Sequence, residues 1–115
     1  MAQPYSIQTN QAAKKVDMKV SGTFTPQDYQ NFVRDYAKMA SSIDAKTFTL
    51  EVDCREMDLL ATEEVEKLKG SFASYKETGF EKVVFIISTS QTIIKMQLAR
   101  VAREAGLSNH EIITK

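Results

Sequence analysis

The chain has 115 residues, 43% hydrophobic and 26% charged, which is the composition of an ordinary globular domain rather than a disordered segment. Fifteen Lys and Arg balance fifteen Asp and Glu, and that neutrality excludes the broad basic face that nucleic-acid binding needs. One cysteine makes no internal disulfide, MAQPYSIQTN has neither the basic nor the apolar region of a signal peptide, and VVFII falls far short of a membrane span. The expectation is a single cytoplasmic domain, 1–115, with no membrane insertion.

In chain order, Tyr5–Thr9 reads as a short first strand after a loose start. QAAKK gives a turn. VDMKVSGTF then alternates, with Val16, Met18 and Val20 on one face and Asp17, Lys19 and Ser21 on the other. A period of two marks a half-exposed strand, and the short link backward predicts an antiparallel hairpin, with Gly22 near the strand end. Thr25-Pro26-Gln27-Asp28 starts a helix: Thr25 caps, Pro26 suits the first helical position, and Asp28 complements the helix dipole. Tyr29, Phe32, Val33, Tyr36, Ala37 and Ala40 follow at helical spacing as its inward face.

Phe48–Cys54 (FTLEVDC) is rich in β-branched and aromatic residues and predicts a central strand ending on Asp53 and Cys54. An apolar loop, REMDLLA, leads to Thr62, the natural cap of a second helix with Glu63 and Glu64 in its first turn. Val65, Leu68, Phe72 and Tyr75 face inward, and Gly79 closes the helix. Gly70 lies within it at a cost of about 1 kcal/mol relative to Ala, which suggests close packing on the sheet. Lys82–Ser88 (KVVFIIS) is continuously apolar, the pattern of a strand covered on both faces. Ser88-Thr89-Ser90 is the expected cap of a third helix. That helix has Ile94, Leu98, Val101 and Ala105 inward and Gly106 just past its end. EIIT is a last short strand. The order ββαβαβαβ defines an α/β sandwich of two or three layers, whose mixed sheet has later strands running parallel through right-handed crossovers.

MKVSGTFT, FTLEVDC, REMDLLAT, GFEKVVFIIS and AREAGLSNHEIIT together resemble the STAS domain family, the sulfate-transporter and anti-sigma-factor-antagonist domains with the SpoIIAA-like fold. The likeness covers nearly the whole chain in element order. It implies a non-enzymatic, regulatory protein-binding module of bacterial or phage origin, whose partner is a protein such as a kinase or an anti-sigma-like factor. Regulatory members carry Asp-Ser-Ser-Gly at the start of the helix after the central strand, and the first serine is phosphorylated. Here those positions read Ala61-Thr62-Glu63-Glu64. A hydroxyl survives at Thr62, while the aspartate and the glycine are gone.

Each candidate residue has two readings. Thr62 is a helix cap, or a phosphoacceptor whose phosphate would meet free helix N–H groups but also the repelling Glu63 and Glu64. Asp53 occupies the place of a receiver domain's acceptor, but the early strands lack the acid pair that holds magnesium, so it reads as a strand-end residue bonding to loop amides. Cys54 would need a base to act as a nucleophile. The only histidine, His110, belongs at the opposite end of a parallel strand, so the thiol reads as inert. One His and one Cys build no zinc site, and no glycine-rich phosphate loop occurs, so no metal and no cofactor are expected.

The contact surface is placed on the loop Arg55–Thr62, with Met57 turned toward a partner and Leu60 toward the core, and on the neighbouring turn Ser88, Thr89, Ser90 and Gln91. Lys95, Arg100 and Arg103, with Ile93 and Met96 between them, form either a solvated face or a docking face. Two other readings stay open. One is a structural subunit that associates with itself through an exposed strand or the third helix. The other is a small enzyme using Cys54 or Asp53.

Overall fold

The computed structural model describes residues 5–22, 25–57 and 62–115, and gives the backbone alone for residues 22, 62 and 63. The elements follow the expected order: β1 (Tyr5–Asn10), β2 (Lys15–Gly22), α1 (Pro26–Ser41), a 3-10 turn (Ala45–Thr47), β3 (Thr49–Met57), α2 (Thr62–Thr78), β4 (Lys82–Ile87), α3 (Thr92–Ala105) and β5 (His110–Thr114). One five-stranded sheet has the spatial order β1-β2-β3-β4-β5. The β1–β2 pair is antiparallel, and β2, β3, β4 and β5 run parallel.

That order settles the number of layers. Each parallel crossover moves one strand further in the same direction, so crossovers of one hand place every helix on the same face. The packing agrees. Phe32 of α1 meets Tyr5, Tyr36 meets Tyr75 of α2, and Phe72 stacks on Phe85 of β4 with ring centroids 4.7 Å apart. Ile94, Leu98, Val101 and Ala102 of α3 belong to the same buried cluster as Val16, Met18, Leu50, Val52, Val83, Phe85 and Ile87. The fold is a two-layer sandwich.

Both faces of KVVFII are buried, as expected, but among the described residues helices cover only one of them. Val84 and Ile86 point away from the helices, and among the described residues no helix packs there. They are nonetheless only 9% and 4% exposed. In register beside them stand Glu51 and Glu111, and Asp53 and Ile113. Ion pairs cross this open face, from Lys15 to Asp17 and Glu51 and from Lys82 to Glu111.

Start and stop signals behave unevenly. Thr25 and Asp28 form a reciprocal capping box at α1, with Pro26 in its first turn, and Gly79 and Gly106 take positive φ at the ends of α2 and α3. On α1 the inward face is Phe32, Tyr36 and Met39, whereas Val33 is 46% exposed and Ala37 is also exposed. Gly70 is exposed, and a Cβ there would meet only the Tyr29 hydroxyl, at 3.8 Å, so close packing on the sheet does not explain it.

Candidate functional site

The candidate rim lies where β3 and β4 end. β4 stays in register with β3 only as far as Asp53 opposite Ile86. β3 itself continues three residues beyond the expected end at Cys54, paired with β2 through Glu56 and Met57. Between Lys19 and Ser21 two steps of β2 are matched by three steps of β3, from Asp53 to Glu56, so β3 carries one extra residue as a bulge.

Three consequences follow from the bulge. The Arg55 N–H turns to the Asp53 carboxylate, donating to Oδ1 at 3.1 Å, while the Arg55 guanidinium grips the same carboxylate at 3.0 and 2.8 Å. That fork holds the Asp53 carboxyl below the usual carboxylate range. The alternation also slips by one, so both Cys54 and Met57 face the helices. Met57 is thus 8% exposed and part of the core, not turned toward a partner as expected. Asp53, for its part, is a mid-strand residue. Finally, the Cys54 and Met57 carbonyls lie past the last rung of β4 and need another donor.

Gln91 supplies it. Its Nε2 donates to the Cys54 carbonyl at 2.9 Å and to the Met57 carbonyl at 3.3 Å. Its Oε1 accepts from the Ser88 N–H at 2.8 Å and from the Ser88 hydroxyl at 3.2 Å. The Ser88 and Ser90 hydroxyls pair at 3.1 Å. Ser88-Thr89-Ser90 is therefore a turn bound to itself and to Gln91. The N-cap of α3 is Gln91, whose side chain makes no capping bond, which corrects the expected serine cap.

Of the predicted contact residues, Arg55, Thr89 and Ser90 are exposed, Asp53, Ser88 and Gln91 are half-buried, and Met57 is buried. Thr62 begins α2, but its side chain lies outside the described residues, as does the stretch 58–61 that includes Leu60. One helical turn beyond Ser90 the surface becomes apolar, with Ile93 and Met96 exposed by 59% and 67% and Lys95 between them. Lys19 and Glu56, paired at 2.6 Å, flank the bulge on the open face. They meet only through the register slip, so no local sequence signal could have joined them.

Chemically this end of the sheet is quiet. Burial pushes the Cys54 thiol up to about 12, with the Asp53 charge adding to the effect. His110 stands level with Val83 and Leu50, four residues before Cys54, about 13 Å away along the strand direction. Its Nδ1 engages the Leu107 carbonyl at 2.6 Å. Among the described residues no three His, Cys, Asp or Glu side chains group as metal ligands, and no helix is long and apolar enough to cross a membrane.

A five-stranded sheet of this order under three helices, with its polar rim at the parallel strand ends, is SpoIIAA-like. The chain is similar to the crystal structure of an uncharacterised protein of the DUF3478 family with a SpoIIAA-like fold from Shewanella loihica PV-4, at a TM-score of 0.68 and 17% identity, covering 96% of this chain and 85% of that one. No family model matches the sequence, and no curated protein matches it.

Proposed function

We propose that the chain is a non-enzymatic protein-interaction module of regulatory type, acting in the cytoplasm through the rim at the carboxyl ends of β3 and β4. The observation that carries this reading is the Gln91 clamp. One side chain locks the β3 end to the turn before α3 and thereby presents Arg55, Thr89 and Ser90 on a fixed frame beside exposed Ile93 and Met96. An exposed arginine and methionine beside an apolar patch are favoured in protein interfaces. The partner is a folded protein of the kinase or anti-sigma class, as the SpoIIAA-like fold suggests. Thr62 is the first residue of α2, not the capping residue before it that the sequence led us to expect. With Ala61 and Glu63 in place of the phosphorylated serine's neighbours, no switch is assigned to it.

The enzyme alternative has less support. Cys54 is buried, protonated and distant from His110, and Asp53 is neutralised by Arg55. A photo-crosslinking side chain placed at Thr89, and separately at Lys82 at the other end of β4, tests the proposal in cells. A discrete protein adduct from position 89 that disappears with Arg55→Glu is the expected result. Equal adducts from both positions, or none from either, would sink it.

A further inference from the structure

The edge of the sheet formed by β1 has no partner among the described residues on the side away from β2. Exposed edges are templates for pairing, and proteins ordinarily protect them with charge, proline or a bulge. β1 has none of these. Its six residues, Tyr-Ser-Ile-Gln-Thr-Asn, carry no charge, and its pairing with β2 is regular throughout. The opposite edge differs, because β5 carries Glu111 in an ion pair with Lys82.

Beside the β1 edge runs an open groove of about 330 Å³, lined by Tyr5–Thr9 and by Asp35 and Met39 of α1. The edge is also held in place. The Tyr5 hydroxyl donates to Asp35 at 2.5 Å and its ring packs edge-on against Phe32, so β1 is fixed to the helix layer before anything docks.

The strand is complementary to itself. Antiparallel pairing about a two-fold axis through Ile7 sets Ile7 opposite Ile7, Tyr5 opposite Thr9 and Ser6 opposite Gln8. Residues opposite one another share a face, so the Ile–Ile and Tyr–Thr pairs fall on the groove side and Ser–Gln on the polar side. No charged residue enters the pairing, and its five rungs match the residues that line the groove. We propose that a second copy of this chain is the occupant, joining two five-stranded sheets into one continuous sheet by β1–β1 pairing. This dimer leaves the rim of Arg55, Thr89 and Ser90 free and does not depend on the function proposed for it.

Two double variants at Ser6 and Gln8, which face Lys19 and Asp17 of β2, test the register. S6E/Q8K is complementary to β2 and also to its own mate across the axis, so it should dimerise at least as tightly as the parent. S6E/Q8E sets glutamate against glutamate in every outer-face pair and should weaken the dimer by roughly tenfold or more. Sedimentation equilibrium reads the masses, and circular dichroism confirms folding. In the parent, amide exchange across Tyr5–Thr9 should also slow as protein concentration rises, a readout that survives a variant's failure to fold. A parent that stays monomeric up to about 1 mM overturns the proposal. So does a folded S6E/Q8E chain that dimerises as tightly as the parent, an S6E/Q8K chain that is monomeric, or β1 exchange that is independent of concentration.

Discussion

The side-chain amide of Gln91 donates to the Cys54 carbonyl across 2.9 Å, tying α3's first residues to the bulged end of β3. Only a side chain with both a donor and an acceptor can serve the Cys54 and Met57 carbonyls and the Ser88 N–H together. Gln91→Ala should cost about 1–3 kcal/mol, because half-buried backbone groups lose their partner. Gln91→Glu should be no better, since a carboxylate would face two carbonyl oxygens with nothing to donate. Urea midpoints for the two variants decide the matter, and parent-like values for both would show that the clamp is idle.

Gly70 stands in the exposed surface of α2 with room for a methyl group, its nearest neighbour being the Tyr29 hydroxyl at 3.8 Å. Glycine inside a helix loses about 1 kcal/mol to alanine through backbone entropy. Gly70→Ala should therefore raise stability by up to about 1 kcal/mol. A lower melting temperature would mean that this position cannot take a side chain.

Val83 and Val84 are sequence neighbours on opposite faces of β4, and one substitution applied to each compares those faces directly. Val83 is fully enclosed under the helices, whereas Val84 lies on the face without them. Val83→Thr buries a hydroxyl among apolar atoms and should cost about 1–3 kcal/mol. Val84, though only 9% exposed, stands between Glu51 and Glu111, whose carboxylates can accept from a hydroxyl. Val84→Thr should therefore cost less than about 1 kcal/mol. On the helix side, Phe85→Ala should cost about 3–5 kcal/mol, since it removes the ring stacked on Phe72. Equal costs for the two threonine variants would show that the open face is closed over after all.

Much of this fold was legible because its signals are local. The alternation of Val16, Met18 and Val20, the Thr25–Asp28 capping box and the glycines at 79 and 106 each act within a few residues of themselves. What was not legible depends on partners distant in sequence. The bulge at Cys54 and Arg55 exists only in register with β2, and it alone turns Met57 from an expected contact into a core residue. Met39 rather than Val33 faces inward on α1, because rotating a helix by one position leaves a similar apolar pattern. An apolar run such as Val83–Ile87 looks the same under one helical layer as under two. At the candidate rim, Arg55, Thr89 and Ser90 could be placed by the rule of strand ends. Gln91 was singled out by the same rule, but its clamp could not be foreseen, because it joins carbonyls of β3 that lie far away in sequence.

The thiol of Cys54 gives the last prediction, and it bears on the enzyme alternative. Burial pushes this group up to about 12 in the folded chain, against about 9 when unfolded. From pH 9 upward the unfolded chain therefore releases a proton that the folded chain retains, and the equilibrium moves toward unfolding. Stability held by the neutral thiol is complete below pH 9 and is lost as pH rises toward 12, at up to about 1.4 kcal/mol per pH unit. The buried Tyr36 phenol, also raised to about 12 from 10, adds to the loss at higher pH. Cys54→Ala should flatten the slope between pH 9 and 10, where the tyrosine still contributes little. At neutral pH a disulfide reagent should label Cys54 only as fast as the chain unfolds, and faster with added urea. Rapid labelling of the folded protein, together with an unchanged alkaline slope in Cys54→Ala, would reveal an accessible, ionisable thiol and restore the nucleophile to contention.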